Sequence, residues 1–423
     1  METVFSIDTS SVKFGTGTTA ELGYEIDRLG CSNVLIVTDP NIARLPITDR
    51  VIKSLHKSKV KFDVFPDVEI EPTDVSFMNV IEFAKNGNYD GFIGLGGGSS
   101  IDTAKVANLY TKYEAELLDY VNAPIGLGKP VPGPLNPLVA IPTTTGTGSE
   151  TTGVAIFDYK PMGAKTGIAH KYIRPDIALV DPENIITLPK EVIACSGFDV
   201  LCHGIESFTA LPFDKRVSPS SPKYRPAYQG SNPISDIWAL AAIEIVGKNL
   251  VRAVNDPDDL NARGKMMLAA TFAGVGFGNA GVHLPHGMSY PVSGNVSTYV
   301  PGGYPLNKVI IPHGLSVILN APAVFRFTYE SNPQRHMKIV SLLDQFSEPI
   351  SMDEPEESLS SCLIRIIQDT GMPNGLSGVG YTREDIPDLV EGTLPQHRVV
   401  KLSPIPVGSK ELGKLFGDSM VLW

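Results

Sequence analysis

The stretch GFIGLGGGSSIDTAKVANLY, residues 91–110, decides the fold of this chain. Its first half is an apolar run typical of a buried strand, and its second half has the composition of a helix. Between them stand Gly94, Gly96, Gly97 and Gly98. Glycines let the backbone approach a ligand closely, and a helix N-terminus offers free N–H groups and a partial positive charge. The stretch predicts a phosphate-binding loop, with an ordinary tight glycine turn as the alternative.

The start of the predicted helix adds a local signal. Ser99 would be its N-cap, and Asp102 follows three residues later, as in a capping box with Asp in the place of Glu. The spacing is not G-x-G-x-x-G, and no G-K-[ST] follows. The phosphate-loop interpretation therefore depends on the strand before the glycines and the helix after them.

The segments around this loop alternate between strand and helix patterns. Apolar runs predict strands, and one stretch of helical spacing ends at a glycine. The strands are expected at 33–39, 61–66, 138–144, 153–158 and 177–182, and the helix at 73–87. This alternation predicts a mostly parallel sheet that is covered on both faces.

Two polar segments follow predicted strands. Asp39 ends the first strand, where an acidic residue can bind a ribose diol and disfavour a 2′-phosphate, which favours NAD over NADP. A turn Asp before Pro40 explains the same position equally well. Residues 141–153 are rich in Thr, Ser and Gly, and such a loop can contact a nicotinamide or a ribose. Its hydroxyl groups can equally satisfy their own backbone.

The composition changes near Pro189, where extended runs give way to helical ones. We therefore predict two domains, residues 1–188 and residues 189–423. Helices are expected at 190–210, 233–254, 261–279, 315–327, 334–346 and 357–371. Two segments rich in Pro, Gly, Ser and Tyr, 211–233 and 285–312, are predicted to be loops of functional length.

The second half also contains side chains of metal-ligand type. Asp199 and His203 are four residues apart and would share one face of a helix. His283 and His286 follow in GVHLPHGMSYP, and His313 in IPHGLSV. His203, His286 and His313 with Asp199 make a donor set that suits Fe(II) or Zn(II). Taken singly, each histidine is as readily a surface residue or a satisfied core residue.

Composition excludes several classes of protein. The chain has 423 residues, a net charge of −11 and a 42% share of apolar residues, which excludes a disordered chain. The acidic balance argues against nucleic acid or an anionic membrane surface as the main partner. No apolar run approaches the ~20 residues of a membrane helix. Four cysteines without a CxxC motif indicate a reducing compartment. The N-terminus lacks a leader pattern, so a cytosolic chain or a removed targeting peptide is expected.

With these motifs in view, the chain resembles the iron-containing (group III) alcohol dehydrogenases. The resemblance is carried by GGGSSIDTAK, IPTTTGTGSETTGVAIFDY, SGFDVLCHGIES and GNAGVHLPHGMSYPVSG with IPHGLSV. RPAYQGSNPISDIWA and GYTREDIPDLVEGTLPQHRV fit a transhydrogenase branch of that family. The resemblance implies an α/β N-terminal dinucleotide-binding domain with a parallel sheet plus an all-α C-terminal domain, with the active site in the cleft between them.

The resemblance also assigns roles to individual residues. It implies NAD and a divalent metal, Fe(II) or Zn(II), as cofactors. The implied NAD contacts are Gly97, Gly98 and Ser99 at the pyrophosphate, Asp39 at the adenosine ribose, and Thr143, Thr144 and Thr147 in the threonine loop. Asp102 and Lys165 are also expected to contact the cofactor. The implied metal ligands are Asp199, His203, His286 and His313, and Lys165 falls where the family often has a cleft-lining lysine.

Two departures from the family pattern concern catalysis. Tyr290 stands where many members have a histidine near the nicotinamide, and His283 lies three residues before the third ligand. His283, Tyr290 and Lys165 are therefore the predicted catalytic residues of an altered proton relay. The segment between His286 and His313 is also longer than in simple alcohol dehydrogenases, and its insert 296–308 is expected to shape substrate choice.

The implied activity is hydride transfer from a hydroxyacid to bound NAD and then to an oxoacid. The expected donor is 4-hydroxybutyrate and the expected acceptor is 2-oxoglutarate. Both are carboxylates, and the candidate cations for them are Lys165, Arg174, Arg225 and His283. The alternatives are an alcohol dehydrogenase that releases NADH, a dehydroquinate synthase-like lyase, and a binding protein without catalysis.

The resemblance carries two further expectations. Animal members of this branch are mitochondrial, so a mitochondrial location is expected, with the cytoplasm as the alternative. The partners are small hydroxyacids and oxoacids, and a homo-oligomer is left open.

Overall fold

A computed structural model describes residues 1–304, 308–344 and 353–423. These residues form two compact units. The α/β unit is Asp8–Thr187, and the helical unit combines Met1–Ile7 with Leu188–Trp423. The first seven residues, which the sequence assigned to the α/β domain, thus pack with the helical unit.

The α/β unit contains a six-stranded parallel sheet in the order β1-β8-β5-β4-β2-β3. Its strands are β1 (Ser11–Phe14), β2 (Asn33–Val37), β3 (Lys61–Phe65), β4 (Gly91–Gly96), β5 (Leu138–Pro142) and β8 (Ile177–Val180). The helices of this unit are α1 (Leu22–Arg28), α2 (Pro46–Lys57), α3 (Asp74–Lys85), α4 (Gly98–Lys112) and α5 (Leu117–Tyr120). The parallel α/β architecture expected from the sequence is confirmed.

The predicted strand at 153–158 lies outside this sheet. It is β6 (Val154–Tyr159), which pairs antiparallel with β7 (Ala164–Ala169) in a separate hairpin. The chain reverses at Gly163, whose φ of 56° suits a glycine. A short turn permits only antiparallel pairing, because parallel strands need a long crossover.

Two apolar clusters cover the central strands. Every residue of β4 is buried, and its side chains divide between the clusters on the two faces. Phe92 belongs to one cluster, and Ile93 and Leu95 belong to the other. Burial on both faces explains why this strand is a continuous apolar run instead of an alternating one.

The helical unit has one large core around α6. Helices α7, α8 and α10 pack on α6. The elements are α6 (Lys190–Thr209), α7 (Pro233–Asn255), α8 (Leu260–Ala280), α9 (Leu284–Gly294), α10 (His313–Ile318), α11 (Ala321–Thr328), α12 (Pro333–Leu343), α13 (Pro355–Asp369), α14 (Ile386–Thr393), α15 (His397–Val400) and α16 (Ser409–Asp418).

Helix α9 corrects one prediction, since part of the expected loop 285–312 is helical. Pro285 stands in the first turn, where a missing N–H costs nothing, and Pro291 lies inside the helix. The helix predicted at 315–327 is two helices, α10 and α11, with Pro322 near the start of the second. Residues 345–346 of another predicted helix, and 305–307 of the insert, lie outside the described residues.

No single helix in the described part of the chain has the length and apolar composition of a membrane span. Helices α8 and α9 have this length and composition only when taken together, and the pair is bent by 104°.

Candidate metal and cofactor sites

Helix α6 and the first turn of α9 bring three buried donors together. Asp199 and His203 lie one turn apart on α6, as predicted, and the His203 Nε2 is 3.5 Å from Asp199 Oδ1. His286 on α9 places its Nε2 3.4 Å from the same oxygen. One ligand atom from each of the three residues lies within 4.8 Å of the others. The three donors therefore converge on a common centre.

His313 adds a fourth donor at the start of α10. Its Nε2 lies 3.7 Å from Asp199 Oδ1, and its side chain is 28% exposed, whereas Asp199 is 3% exposed. A Cβ added at Gly314 would overlap the carbonyl oxygen of Cys195 and lie 2.9 Å from Asp199 Cβ. Glycine after His313 therefore lets α10 approach α6 closely enough for this histidine to reach the cluster.

The polar atoms of this cluster fit a divalent cation. Asp199 Oδ1 and His286 Nε2 are both buried and have no hydrogen-bond partner within the described part of the chain. Burying such groups without a partner is costly, whereas a cation would satisfy both at once. A donor set of three imidazoles and one carboxylate suits Fe(II) or Zn(II) and leaves coordination positions for a substrate.

Glu206 is hydrogen-bonded to His286 on the side away from the cluster, and the sequence did not predict this residue. Its Oε1 accepts a hydrogen bond from His286 Nδ1 at 2.6 Å, and its Oε2 accepts the backbone N–H of His283 at 2.6 Å. A proton on Nδ1 leaves the lone pair of Nε2 directed at the cluster. The available signal was its spacing, three residues after His203 on the same helix face.

The buried charges shift the pKa values of the donors. Burial alone would raise the pKa of Asp199, but His203, His313 and His286 hold it well below its usual range. Burial lowers the pKa of His286, yet Glu206 and Asp199 raise it to about 10. A metal takes the neutral imidazole, so ion binding and protonation compete at His286.

His283 lies away from the ligand cluster. It is fully buried, and its Nε2 lies 2.9 Å from Thr209 Oγ1. Since the Thr209 hydroxyl donates to the Ile205 carbonyl, His283 Nε2 is the donor to Thr209. Burial lowers the pKa of His283 to about 4, against the opposing effect of Glu206. This environment favours a neutral core histidine over contact with a substrate, and the catalytic role stays a prediction.

Tyr290 stands one turn after His286 on the same helix. It is 5% exposed, and its hydroxyl oxygen accepts a hydrogen bond from Arg398 Nη2 at 2.8 Å. The predicted relay position is thus paired with an arginine that the sequence analysis did not single out.

In the α/β unit the glycine loop joins β4 directly to α4. Gly96 has a φ of 146°, in the region that favours glycine, and Gly97 is the N-cap of α4. The capping box predicted at Ser99 is wrong, because Ser99 lies inside the helix and α4 has no side-chain cap. The first N–H groups of α4 therefore have no capping side chain, as an anion site at a helix N-terminus requires.

The threonine loop lies against the glycine loop. A Cβ added at Gly98 would lie 2.6 Å from Thr147 Cγ2, and one at Gly97 would lie 3.2 Å from Thr144 Cγ2. The backbone N–H of Thr143 donates to the Gly96 carbonyl at 3.0 Å. The two predicted cofactor segments therefore meet at the carboxyl ends of β4 and β5, where nucleotides bind in such sheets.

Asp39 lies at the carboxyl end of the next strand, β2. Its Oδ1 accepts the backbone N–H groups of Asn41 and Ile42 at 2.9 and 3.1 Å. Its Oδ2 would lie 3.5 Å from a Cβ added at Gly96. The turn role considered from the sequence is thus present, while the other oxygen lies beside the glycine loop.

Asp102 ties the threonine loop to α4. Its Oδ1 accepts from Ser149 Oγ and, at 3.0 Å, from Lys105 Nζ, and its Oδ2 accepts the N–H of Ile156 at 3.0 Å. These contacts occupy both oxygens. Direct contact between Asp102 and a cofactor stays a prediction.

Lys165 on β7 is buried between two carboxylates, Glu71 and Asp158. Burial alone would lower its pKa, but the two carboxylates raise it above the usual value. A lysine that remains protonated is a poor proton acceptor, so the environment favours an electrostatic role over proton transfer.

Two family profiles together match most of the chain. The profile "Iron-containing alcohol dehydrogenase" matches residues 9–182, and "Fe-containing alcohol dehydrogenase family, C-terminal" matches residues 227–420. The mitochondrial hydroxyacid-oxoacid transhydrogenase of Bos taurus is 52% identical over 421 residues, which are 99% of this chain and 90% of the relative. The human protein of the same name is 49% identical, also covering 99% and 90%.

Solved structures share the fold. A 1,3-propanediol oxidoreductase superposes with a TM-score of 0.85 at 24% identity, covering 99% of this chain and 100% of the other. Sulfoacetaldehyde reductase from Bifidobacterium kashiwanohense in complex with NAD+ superposes with a TM-score of 0.80 at 25% identity, covering 99% and 98%.

Proposed function

The chain belongs to the iron-containing alcohol dehydrogenase family, and we propose that it works as a hydroxyacid-oxoacid transhydrogenase on 4-hydroxybutyrate and 2-oxoglutarate. The products are succinate semialdehyde and 2-hydroxyglutarate. The donor loses two electrons and two protons, and the acceptor gains both, so the net reaction needs no external oxidant. The observation that carries the proposal is the convergence of Asp199, His203, His286 and His313 in a chain about half identical to transhydrogenases.

The helical unit is assigned the metal. Asp199, His203, His286 and His313 would hold Fe(II), with Zn(II) as the second choice for this donor set. When bound, the ion acts as a Lewis acid that polarises the substrate oxygen and stabilises developing negative charge. Glu206 keeps the proton of His286 on Nδ1 and thereby presents Nε2 to the ion.

The α/β unit is assigned NAD. Gly97, Gly98 and Ser99 would receive the pyrophosphate at the N-terminus of α4, and Asp39 Oδ2 would receive the adenosine ribose. NAD held there would supply the hydride-transfer chemistry between donor and acceptor. Thr144 and Thr147 are half-buried beside the glycines and are the proposed contacts of the threonine loop.

The proposal is tested by turnover without added NAD. Protein loaded with metal and NAD is gel-filtered and incubated with 4-hydroxybutyrate and 2-oxoglutarate, and 2-hydroxyglutarate is measured. We expect many turnovers per bound nucleotide with ping-pong kinetics. Loss of turnover with release of free NADH would instead indicate an ordinary alcohol dehydrogenase. His203→Ala is expected to abolish both metal binding and turnover, and an active metal-free variant would contradict the metal assignment.

We propose a mitochondrial location for the chain, since the relatives that it matches over nearly their whole length are mitochondrial. Fractionation with antibodies against the native protein tests this, and signal confined to the cytosolic fraction would contradict it.

A further inference from the structure

The proposed substrates leave one requirement unassigned, which is a cation for their carboxylates. Three of the four candidates from the sequence are engaged by internal oxygens, and the fourth is a fully buried neutral histidine. Lys165 pairs with Glu71 and Asp158, Arg174 Nε donates to the Thr151 carbonyl, Arg225 lies 3.4 Å from Glu2, and His283 is bonded to Thr209. The requirement therefore points to another basic residue.

Arg398 is a guanidinium without a carboxylate partner among the described residues. It lies on the short helix α15, and its Nη2 donates to Tyr290 Oη at 2.8 Å. Its guanidinium carbon is 4.8 Å from the centre of the Tyr228 ring. Its Nη1 is buried, and no acceptor for it is found in the described part of the chain. Two tyrosine side chains thus hold a guanidinium that has an unused donor.

Arg398 lies close to the helix that carries the proposed metal ligand His286. Tyr290 is four residues after His286, so the two side chains lie on the same face of α9, with about 5–6 Å between their Cβ atoms. Helix α15 packs on α9 at Gly287, where an added Cβ would lie 3.1 Å from Val400 Cγ2. The glycine after His286 thus brings the helix of Arg398 close to this ligand.

A second chain of rings runs to another ligand. Tyr228 contacts Phe277 edge to face with 6.4 Å between the ring centres. Phe277 stacks on His203 at 3.8 Å with an angle of 9° between the planes. The rings of Tyr228 and Phe277 therefore connect the guanidinium with His203, and their apolar faces suit the methylene chain of a small acid.

From these contacts, which rest on the proposed function for the substrate class, we propose that Arg398 binds the carboxylate of the hydroxyacid and of the oxoacid. Nη1 is the free donor, and Tyr228 and Tyr290 hold the guanidinium in place. A planar guanidinium matches a carboxylate better than an ammonium does, because it can donate two parallel hydrogen bonds. One arginine serves both half-reactions, since donor and acceptor each carry a carboxylate at the end away from the reacting carbon.

The geometry of the substrate agrees with this placement. In 4-hydroxybutyrate four bonds separate the hydroxyl oxygen from the carboxyl carbon, a span of about 5 Å at ~1.5 Å per bond and tetrahedral angles. The 5-carboxylate of 2-oxoglutarate lies at the same separation from its oxo group. A single cation one helical turn from the ligands can therefore select the chain length of both.

The test compares an acid with its uncharged analogue. Kinetics with 4-hydroxybutyrate and with 4-hydroxybutanamide are measured for the wild type, Arg398→Gln and Arg398→Lys, each loaded with metal and NAD. We expect Arg398→Gln to lower kcat/KM for the acid about 10- to 100-fold, the scale of a lost charge-assisted hydrogen bond. The amide should change less than threefold (roughly 0.6 kcal/mol at 1.4 kcal/mol per decade). Arg398→Lys should fall between the two enzymes for the acid.

Arg365→Gln is the matched control, because Arg365 is partly exposed and forms an ion pair with Asp369 one helical turn away. It should leave both substrates unchanged. Metal content, NAD content and Tm of each variant show whether the fold is intact. If Arg398→Gln does not fold, two measurements still decide the question. One is the kinetics of Arg398→Lys, and the other is whether butyrate, but not butyramide, protects the wild type against thermal unfolding.

Equal losses for acid and amide, or no loss for the acid, would overturn the assignment of Arg398. Turnover of the wild type with the two acids is a separate measurement. If the wild type fails that assay, the proposed function fails. If the wild type is active and Arg398→Gln keeps the wild-type preference for the acid over the amide, only the assignment of Arg398 fails.

Discussion

Glu206 illustrates how much one buried carboxylate can control at the scale of a residue. It is fully buried, and its two oxygens accept from one imidazole and from the backbone at the start of α9. A buried carboxylate is tolerated in this position because donors satisfy both of its oxygens. It fixes both the tautomer of His286 and the path of the chain into α9.

We predict that Glu206→Gln weakens metal binding about 10- to 100-fold, which is the usual effect of losing a partner behind a ligand. The amide keeps one acceptor for His286 Nδ1, but its NH2 group would face the backbone N–H of His283, so two donors would meet. Chelator competition with the loaded protein measures the affinity. Glu244→Gln is the control, since Glu244 is exposed and pairs with Lys248 on the surface of α7. Equal affinities in the two variants would refute the role of Glu206.

His170 supplies a prediction on pH. Burial and, secondarily, Lys171 lower its pKa from 6.5 to about 4, and its Nδ1 accepts the N–H of Tyr172. Between pH 6.5 and about 4 the unfolded chain therefore binds more protons, so the free energy of unfolding falls as the pH falls. In His170→Asn this loss is absent. The Tm difference between wild type and variant should shift in favour of the variant on acidification, and parallel profiles would contradict it.

At the scale of an element, the glycines that follow His286 and His313 determine how closely neighbouring helices pack. Gly314 lets α10 approach α6, and Gly287 lets α15 approach α9. The sequence motif HG therefore has a packing cause in both places, and ligand geometry follows from it. The helices approach more closely at Gly314 than at Gly287, because only at Gly314 would an added methyl group overlap backbone atoms.

We predict that Gly314→Ala lowers stability by about 1–3 kcal/mol, the usual cost of overpacking, and also weakens metal binding through displacement of His313. Gly413→Ala is the matched control within a helix. Nothing lies within 4 Å of a Cβ added at Gly413, so this variant should be neutral or more stable by about 0.5–1 kcal/mol. Denaturant unfolding and metal titration measure both effects, and an unaffected Gly314→Ala protein would disprove the packing argument.

The contact between glycine loop and threonine loop gives a second prediction for an element. A methyl group at residue 98 would meet Thr147 Cγ2, so Gly98→Ala should push the two loops apart and weaken NAD binding about tenfold (roughly 1.4 kcal/mol) while metal content stays constant. Thr147→Ser removes that methyl group, and the double variant should recover part of the affinity. Fluorescence titration with NADH measures it, and an unrecovered double variant would argue against this contact.

Local patterns in the sequence predicted most elements, and their failures have physical causes. β2 and β4 were predicted within a few residues because burial on both faces makes their apolar runs continuous, and the bounds of α4 and α6 were also predicted within a few residues. Helix α9 was missed because its prolines and glycines are typical of a loop. It packs on α14 and α15, and Glu206 accepts a backbone N–H at its start, so its surroundings stabilise the helical form. The four proposed metal ligands were singled out from the sequence only with the help of the family resemblance. Arg398 and Glu206 needed coordinates, because their partners are distant in sequence.

At the scale of the whole molecule, the N-terminus is tied to the helical unit across more than two hundred residues of sequence. Gln229 Oε1 accepts the N–H of Ser6, and its Nε2 donates to the Ser6 carbonyl. Phe5 packs edge to face on Phe213 with 4.7 Å between ring centres. Such contacts leave no local signature, which is why the sequence assigned residues 1–7 to the other domain.

The hydrogen bonds between the Gln229 side chain and the Ser6 backbone have a consequence for the long segment 211–233. Gln229 is 4% exposed, and the next residue to its N-terminal side is Tyr228, which holds Arg398. We predict that Gln229→Leu leaves two backbone groups of Ser6 unsatisfied and lowers stability by about 1–3 kcal/mol. Hydrogen exchange should rise at residues 2–7 and in the segment 211–233, while α4 stays protected, because its contacts lie within the α/β unit. Gln368→Leu, on the exposed face of α13, is the control and should leave exchange unchanged. If exchange rose equally in α4, the N-terminus would be stabilising the whole chain and not the helical unit alone.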